Sequence, residues 1–281
     1  MHRSLLGVAA VVLGASLSGC GMPGHLNSEA HDTWTRTYTL GAKPDVHIAN
    51  VNGRVDVEGT DGQTVEVEAE RIAHAATDQL AHDLLPKIPI NEHSTGETVS
   101  IETGRVPGIL IGASYEVRYH VKVPRGSTVR ATTVNGAVDV KALAGRTIAR
   151  TTNGAIRADQ LKGALEARTV NGRIRAQFDA LGAGDITLGV VNGAVLIALP
   201  ENAKVSVSAT WVNGSFRPNG LNFDVRDNGK RHFEGQLNGG GTQITATTVN
   251  GRISMSTSGQ KDDSDDIGDV IEKSVQDHVA P

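Results

Sequence analysis

Residues 130–140 read RATTVNGAVDV; the same frame returns at 148–158 as IARTTNGAIRA and at 166–176 as EARTVNGRIRA. It recurs at 47–57 (HIANVNGRVDV), 187–197 (TLGVVNGAVLI), 208–218 (SATWVNGSFRP) and 245–255 (TATTVNGRISM). The anchoring residues are Asn52, Asn135, Asn153, Asn171, Asn192, Asn213 and Asn250; from Asn135 onward they are 18, 18, 21, 21 and 37 apart. Internal repetition of this length points to stacked supersecondary units. Asn and Gly both tolerate positive φ, so each Asn-Gly pair reads as a tight structural turn. Three residues after each Asn stands an apolar side chain: Val55, Val138, Ile156, Ile174, Val195, Phe216 or Ile253. Two residues further on the position is again mostly apolar, so a strand with one buried face follows each turn. A second break falls half a unit later, at Leu143-Ala144-Gly145 and Leu161-Lys162-Gly163.

Each unit is therefore strand, Asn-Gly corner, strand, Gly corner. Two architectures meet that pattern. One is an all-β, right-handed β-solenoid, parallel β-helix-like, built of coils of 18–21 residues with like residues stacked in columns about 4.8 Å apart. The other is an antiparallel β-meander in which each Asn-Gly is a hairpin turn. The likeness of residues from unit to unit favours the solenoid. The extra residues of the longer units, around Gly182-Ala183-Gly184 and Asn202-Ala203-Lys204, then belong on one side. The gap of 37 reads as two units with one motif degraded.

The chain has 281 residues, 33 of them Gly, but only four Phe, three Tyr and two Trp, so the core rests on Val, Ile, Leu and Ala. Its formal charge of −4 supplies no general field for phosphate backbones and speaks against a nucleic-acid partner.

The block from Tyr115 to Val140, YEVRYHVKVPRGSTVRATTVNGAVDV, steps through Val-Pro-Arg-Gly-Ser into the Asn-Gly coils. It resembles the bacterial DUF4097-type family of unknown function, which carries a provisional adhesin label, over roughly residues 41–258. The resemblance implies an exported or membrane-associated β-solenoid with no assigned catalytic residues.

Residues 1–19 pair a basic start at Arg3 with an apolar run from Leu5 to Leu17, an export-signal pattern too short to span a bilayer. Leu17-Ser18-Gly19-Cys20 resembles the lipobox of bacterial lipoproteins. That likeness implies cleavage before Cys20, lipidation there and a membrane partner reached through the lipid; Gly21, rather than Asp, implies outer-membrane delivery in a Gram-negative host. Cys20 is the only cysteine, which excludes an intrachain disulfide. Residues 20–40 read as the lipidated cysteine, a tether and the first strand, near Trp34 to Leu40. Residues 41–258 form the solenoid, and residues 259–281 an acidic, disordered tail.

Within the solenoid, Ile72, Ala76, Leu80 and Leu84 follow a helical spacing, which predicts one short capping helix over 72–87. Residues 104–112, GRVPGILIG, read as a buried edge strand, and Trp211 as a core residue. His74 and His82 are too far apart for a zinc helix, and no metal site or cofactor is expected.

Parallel β-helices include polysaccharide-active enzymes, which need converging carboxylates. Only Asp56 and Asp139 share an outward column, and the next coils place Arg157 and Arg175 there, so no enzyme is expected. The outward arginines Arg130, Arg150 and Arg168, with Arg157, Arg173 and Arg175, read as one basic contact stripe suited to an envelope protein, polysaccharide or anionic lipid.

Overall fold

The computed structural model describes residues 28–258 apart from residue 42 and residues 109–111. The amino-terminal segment with Cys20 and the acidic tail lie outside the described residues.

The chain opens with β1 (Ser28–Thr39), β2 (Asp45–Ala49), β3 (Val55–Thr60) and β4 (Thr64–Ala75). Helix α1 (Asp78–Leu84) and a 3-10 turn (Leu85–Lys87) lead to β5 (Ile90–Ser94), β6 (Thr98–Thr103) and β7 (Ala113–Pro124). The regular units follow as β8 (Thr128–Thr132) with β9 (Val138–Lys141), β10 (Thr147–Asn153) with β11 (Ile156–Leu161), β12 (Leu165–Asn171) with β13 (Ile174–Phe178), and β14 (Ile186–Asn192) with β15 (Val195–Leu199). Strand β16 (Val205–Pro218), the hairpin β17 (Asp224–Asn228) and β18 (His232–Leu237), and β19 (Thr242–Thr257) complete the chain.

Strands before each Asn pair in parallel with one another, as do those after it, with like residues opposite: Ala149 with Ala167, Thr151 with Thr169, Ile156 with Ile174. The result is a two-faced solenoid rather than a meander. Antiparallel pairs occur toward the ends, in β1–β4–β7 and β5–β6 on one side and β16–β18–β17 on the other. Alternation along each strand turns one side inward. Leu165, Ala167 and Thr169 on the first face meet Ile174, Ala176 and Phe178 on the second across one continuous core.

The stacking order departs from chain order. Asn192 is followed in space by Asn250 and only then by Asn213, because β19 pairs with β14 and β15 on one side and with β16 on the other. The gap of 37 is thus no degraded coil. It is β16, an antiparallel return through β17 and β18, and the insertion of β19 behind them. The extra residues of the 21-residue units do map to one edge, between β13 and β14 and between β15 and β16, opposite the Asn corners.

The capping helix is shorter than its spacing predicts. Ile72, Ala73 and Ala75 belong to β4, where all three are buried, and α1 starts after Thr77, whose Oγ1 accepts from the Leu80 N–H at 3.3 Å. Burial in a paired strand overrides the local periodicity; Leu80, expected on the apolar stripe, is exposed. His74 consequently lies on β4, 3.4 Å from Glu29, and only His82 is helical. Residues 104–108 form a loop between β6 and β7 rather than an edge strand, with Val106 at the edge of the core.

The far end is closed by aromatics. Phe216 stacks on Phe233 at 4.3 Å between centroids, Phe223 meets both edge-on, and Trp211 is buried beside the core.

Candidate interaction surface

The Asn column forms a hydrogen-bonded ladder. Nδ2 of Asn135 donates to Oδ1 of Asn52 at 2.8 Å, Asn153 to Asn135 at 2.8 Å and Asn171 to Asn153 at 3.0 Å. Asn192 donates to Asn171 at 2.9 Å, Asn250 to Asn192 at 2.8 Å and Asn213 to Asn250 at 2.9 Å. All seven predicted corner residues are therefore brought together, but for a reason other than backbone conformation. Among the described residues the non-glycine positions of positive φ are Ala142, Gln160 and Asn238, none of them in this column.

The glycines serve close approach. A Cβ on Gly154 would collide with the carbonyl oxygen of Gly136, and one on Gly172 with that of Gly154. Behind them a buried row of threonines ties the corner inward, with Oγ1 of Thr133, Thr151 and Thr169 donating to the carbonyls of Gly53, Gly136 and Gly154 at 3.1, 2.9 and 3.0 Å.

This corner breaks the in-out alternation. Thr169 points inward, and both following residues, Val170 and Asn171, point outward. Alternation alone puts Val170 in solvent, and the break turns Asn171 out beside it. Val134, Val170, Val191, Val249 and Val212 line up along the stack, each 39–45% exposed, with Thr152 in the same row. Between this row and the outward residues three before each Asn runs an open groove of about 800 Å³. The row is an exposed apolar strip broken only at Thr152, which makes this face the candidate interaction surface.

The expected basic stripe is not one surface. Arg150 and Arg168 stand opposite each other on the first face and line the groove, but Arg130 faces Ile148 and lies in a neighbouring column. Arg157 and Arg175 stack on the second face, beyond the Asn corner, while Arg173 follows Gly172 at the corner itself. The signal was present in the sequence: Arg150 and Arg168 precede their Asn by three residues, Arg130 by five, and Arg157 and Arg175 follow theirs by four.

On the first face, Glu166 receives Arg150 at 2.6 Å, Arg168 at 3.4 Å and Arg146 at 3.9 Å. The hydrogen bond from Arg150 and the surrounding guanidiniums hold its carboxyl below the usual glutamate range.

On the second face, Asp56 and Asp139 are register neighbours beside a recess of about 220 Å³. Arg54 bridges the two, Arg157 approaches Asp139 at 3.7 Å, and His120 lies 3.3 Å from Asp56. Burial pushes Asp139 up to about 6, against the pull of Arg54 and Arg157. Among the described residues no three His, Cys, Asp or Glu side chains are grouped to hold a metal, and no helix is long and apolar enough to cross a membrane.

Residues 126–256 match the family model described as Toastrack DUF4097. No curated protein matches. Among solved structures, a provisionally named cell adhesion protein from Clostridium sporogenes ATCC 15579 is 10% identical, with 80% of this chain and 99% of that one covered and a TM-score of 0.45. A provisionally named adhesin from Bacteroides fragilis NCTC 9343 is 12% identical, over 80% of this chain and 96% of that one, at 0.29. Another, from Parabacteroides distasonis ATCC 8503, is 7% identical over 80% and 97%, at 0.25. The family match starts just ahead of β8 and runs into β19, so the stacked Asn-Gly coils from β8 onward are the part of this β-solenoid that is similar to the Toastrack DUF4097 family.

Proposed function

We propose that this protein is an exported, lipid-anchored component of the cell envelope whose solenoid presents a non-catalytic, adhesin-like interaction surface. The observation that carries the reading is the valine-walled groove, an extended apolar strip displayed on a frame stapled by its own amide ladder. The anchor rests on the lipobox-like Leu17-Ser18-Gly19-Cys20. Ser28 is eight residue steps from Cys20, a reach of at most about 28 Å, so lipidation there holds the β1 end close to the bilayer. Multiple acyl chains on one cysteine anchor stably where a single chain does not.

A polysaccharide-active enzyme is disfavoured by the state of its best carboxylate pair, since Asp56 and Asp139 are engaged by Arg54, Arg157 and His120. Protease shaving of intact and lysed cells, with wild type beside Cys20→Ala, tests the reading. Degradation in intact cells, with loss of the variant from the cell fraction, supports surface display. Protection until lysis makes the protein a periplasmic scaffold with envelope partners instead. Unchanged membrane retention of Cys20→Ala removes the lipid anchor from the account.

A further inference from the structure

The groove on the first face is chemically lopsided along its length. Over β10 and β12 its outer wall is made of Arg150 and Arg168, whereas over β14, β19 and β16 the same wall is Gly189, Thr247 and Thr210. The inner wall is Thr152 over β10 and valine from β12 through β16. Around Glu166 three guanidiniums, of Arg146, Arg150 and Arg168, face one carboxylate, which leaves the arginine half with an excess of positive charge. From β12 to β16 there are three strand spacings, about 14 Å at about 4.8 Å each. One leaflet of a bilayer's hydrocarbon core, half of its ~30 Å, has that same depth, which is what one acyl chain spans in a fluid membrane. The volume of about 800 Å³ falls in the ordinary range for a small-molecule site. No aromatic ring lines the groove, so it offers no platform on which a sugar could stack.

From this arrangement we infer that the groove binds a single-chain anionic amphiphile of the long-chain fatty acid class. Its carboxylate sits against Arg150 and Arg168, and its chain runs along Val170, Val191 and Val249 toward Val212. Guanidinium and carboxylate match in charge and in the planar geometry of paired hydrogen bonds. The valine row removes the chain from water, and Gly189 leaves the outer wall low enough for the chain to enter from the side. The inference rests on the reading of this face as the interaction surface, and it does not depend on where in the envelope the protein sits.

The test is a calorimetric titration of the full-length protein with palmitate below its aggregation threshold, beside hexadecanol and cetyltrimethylammonium. Saturable one-site binding of palmitate is expected, weaker binding of the alcohol and none of the cation. Val191→Asp sets a charge against the chain and should weaken palmitate about tenfold or more. Gly189→Trp blocks the groove at a position where an added Cβ meets only Thr247 Oγ1 at 3.4 Å and Arg168 Cγ at 3.7 Å, so the fold has room for it. It should cause a similar loss with an unchanged thermal midpoint. Joint replacement Arg150→Gln and Arg168→Gln should weaken palmitate about tenfold and leave hexadecanol where it was.

Absence of saturable palmitate binding overturns the inference. Equal binding of the cation also overturns it, leaving a merely sticky surface, as does indifference to both Val191→Asp and Gly189→Trp. Dimerisation abolished by Val191→Asp, without palmitate binding, assigns the groove to a second copy of the chain. Any of these with normal Cys20-dependent retention in cells defeats the ligand and leaves the envelope reading standing; loss of that retention with palmitate binding intact does the reverse.

Discussion

Nδ2 of Asn171 donates to Oδ1 of Asn153 at 3.0 Å, the central rung of a column in which every amide points the same way along the stack. Side-chain amide ladders of this kind tie identical strands together independently of the backbone pairing. Asn171→Asp separates the ladder from a turn role, because Asp suits a tight turn as well as Asn but cannot donate when ionised. The expected loss is about 2 kcal/mol at neutral pH, from a missing donor and carboxylate oxygens set against Asn153 Oδ1. Below about pH 4 the protonated acid can donate again and the deficit should shrink. Urea unfolding at both pH values measures it; an equal deficit at the two would exclude the ladder as its source.

Gly172 lies where a methyl group would strike the Gly154 carbonyl, so Gly172→Ala must push two coils apart. The expected destabilisation is about 3 kcal/mol or more, comparable to other backbone and overpacking defects. Gly96→Ala, with open space around the added carbon, should stay within about 0.5 kcal/mol of wild type. Thermal midpoints of the two variants side by side give the answer.

Gln160 holds φ of 55° without being glycine, and Ala142, one coil earlier, holds 58°. The left-handed region costs a residue with a Cβ about 1–2 kcal/mol, more than the extra chain entropy glycine loses on folding. Gln160→Gly is therefore expected to stabilise by about 0.5–1 kcal/mol, seen as a raised urea midpoint at unchanged slope.

Asp139 titrates at about 6 in the folded chain, above its ordinary 3.8, because burial opposes its ionisation more than Arg54 and Arg157 favour it. The native state thus binds this proton more tightly than the unfolded chain. The contribution is present in full below about pH 4 and is lost as pH rises through about 6. Asp139→Asn should flatten that part of the stability profile, with the variant gaining on the order of 1–2 kcal/mol relative to wild type between about pH 4 and pH 7. Parallel profiles for the two proteins would show that Asp139 does not control this window.

The repeat was readable because each coil has to place a small residue, a corner and an apolar strand at fixed offsets. Those offsets also give the edge that carries the longer loops. Spatial order was not readable, since the Val-Asn-Gly frames of Asn213 and Asn250 are equivalent candidates for the place beside the coil of Asn192. Only the antiparallel return through β17 and β18 decides between them. The groove was less legible, since alternation before each Asn turns Ala167 inward and Val170 outward, but outward valines form a wall only once the coils are stacked. At the corner Thr169 faces in while Val170 and Asn171 both face out. The helix was overextended because Ile72 and Ala73 serve a strand whose partners, β1 and β7, are distant in sequence.

The placement of β19 between β15 and β16 also sets an order of events during synthesis. When β16 leaves the ribosome, its parallel neighbour β19 is still more than twenty residues from being made, and the coil of Asn192 waits with an open edge. Growth of this solenoid cannot be strictly vectorial. A chain stopped before Thr242 forfeits two coils instead of one, and the last segment translated acts as a keystone for a segment finished earlier.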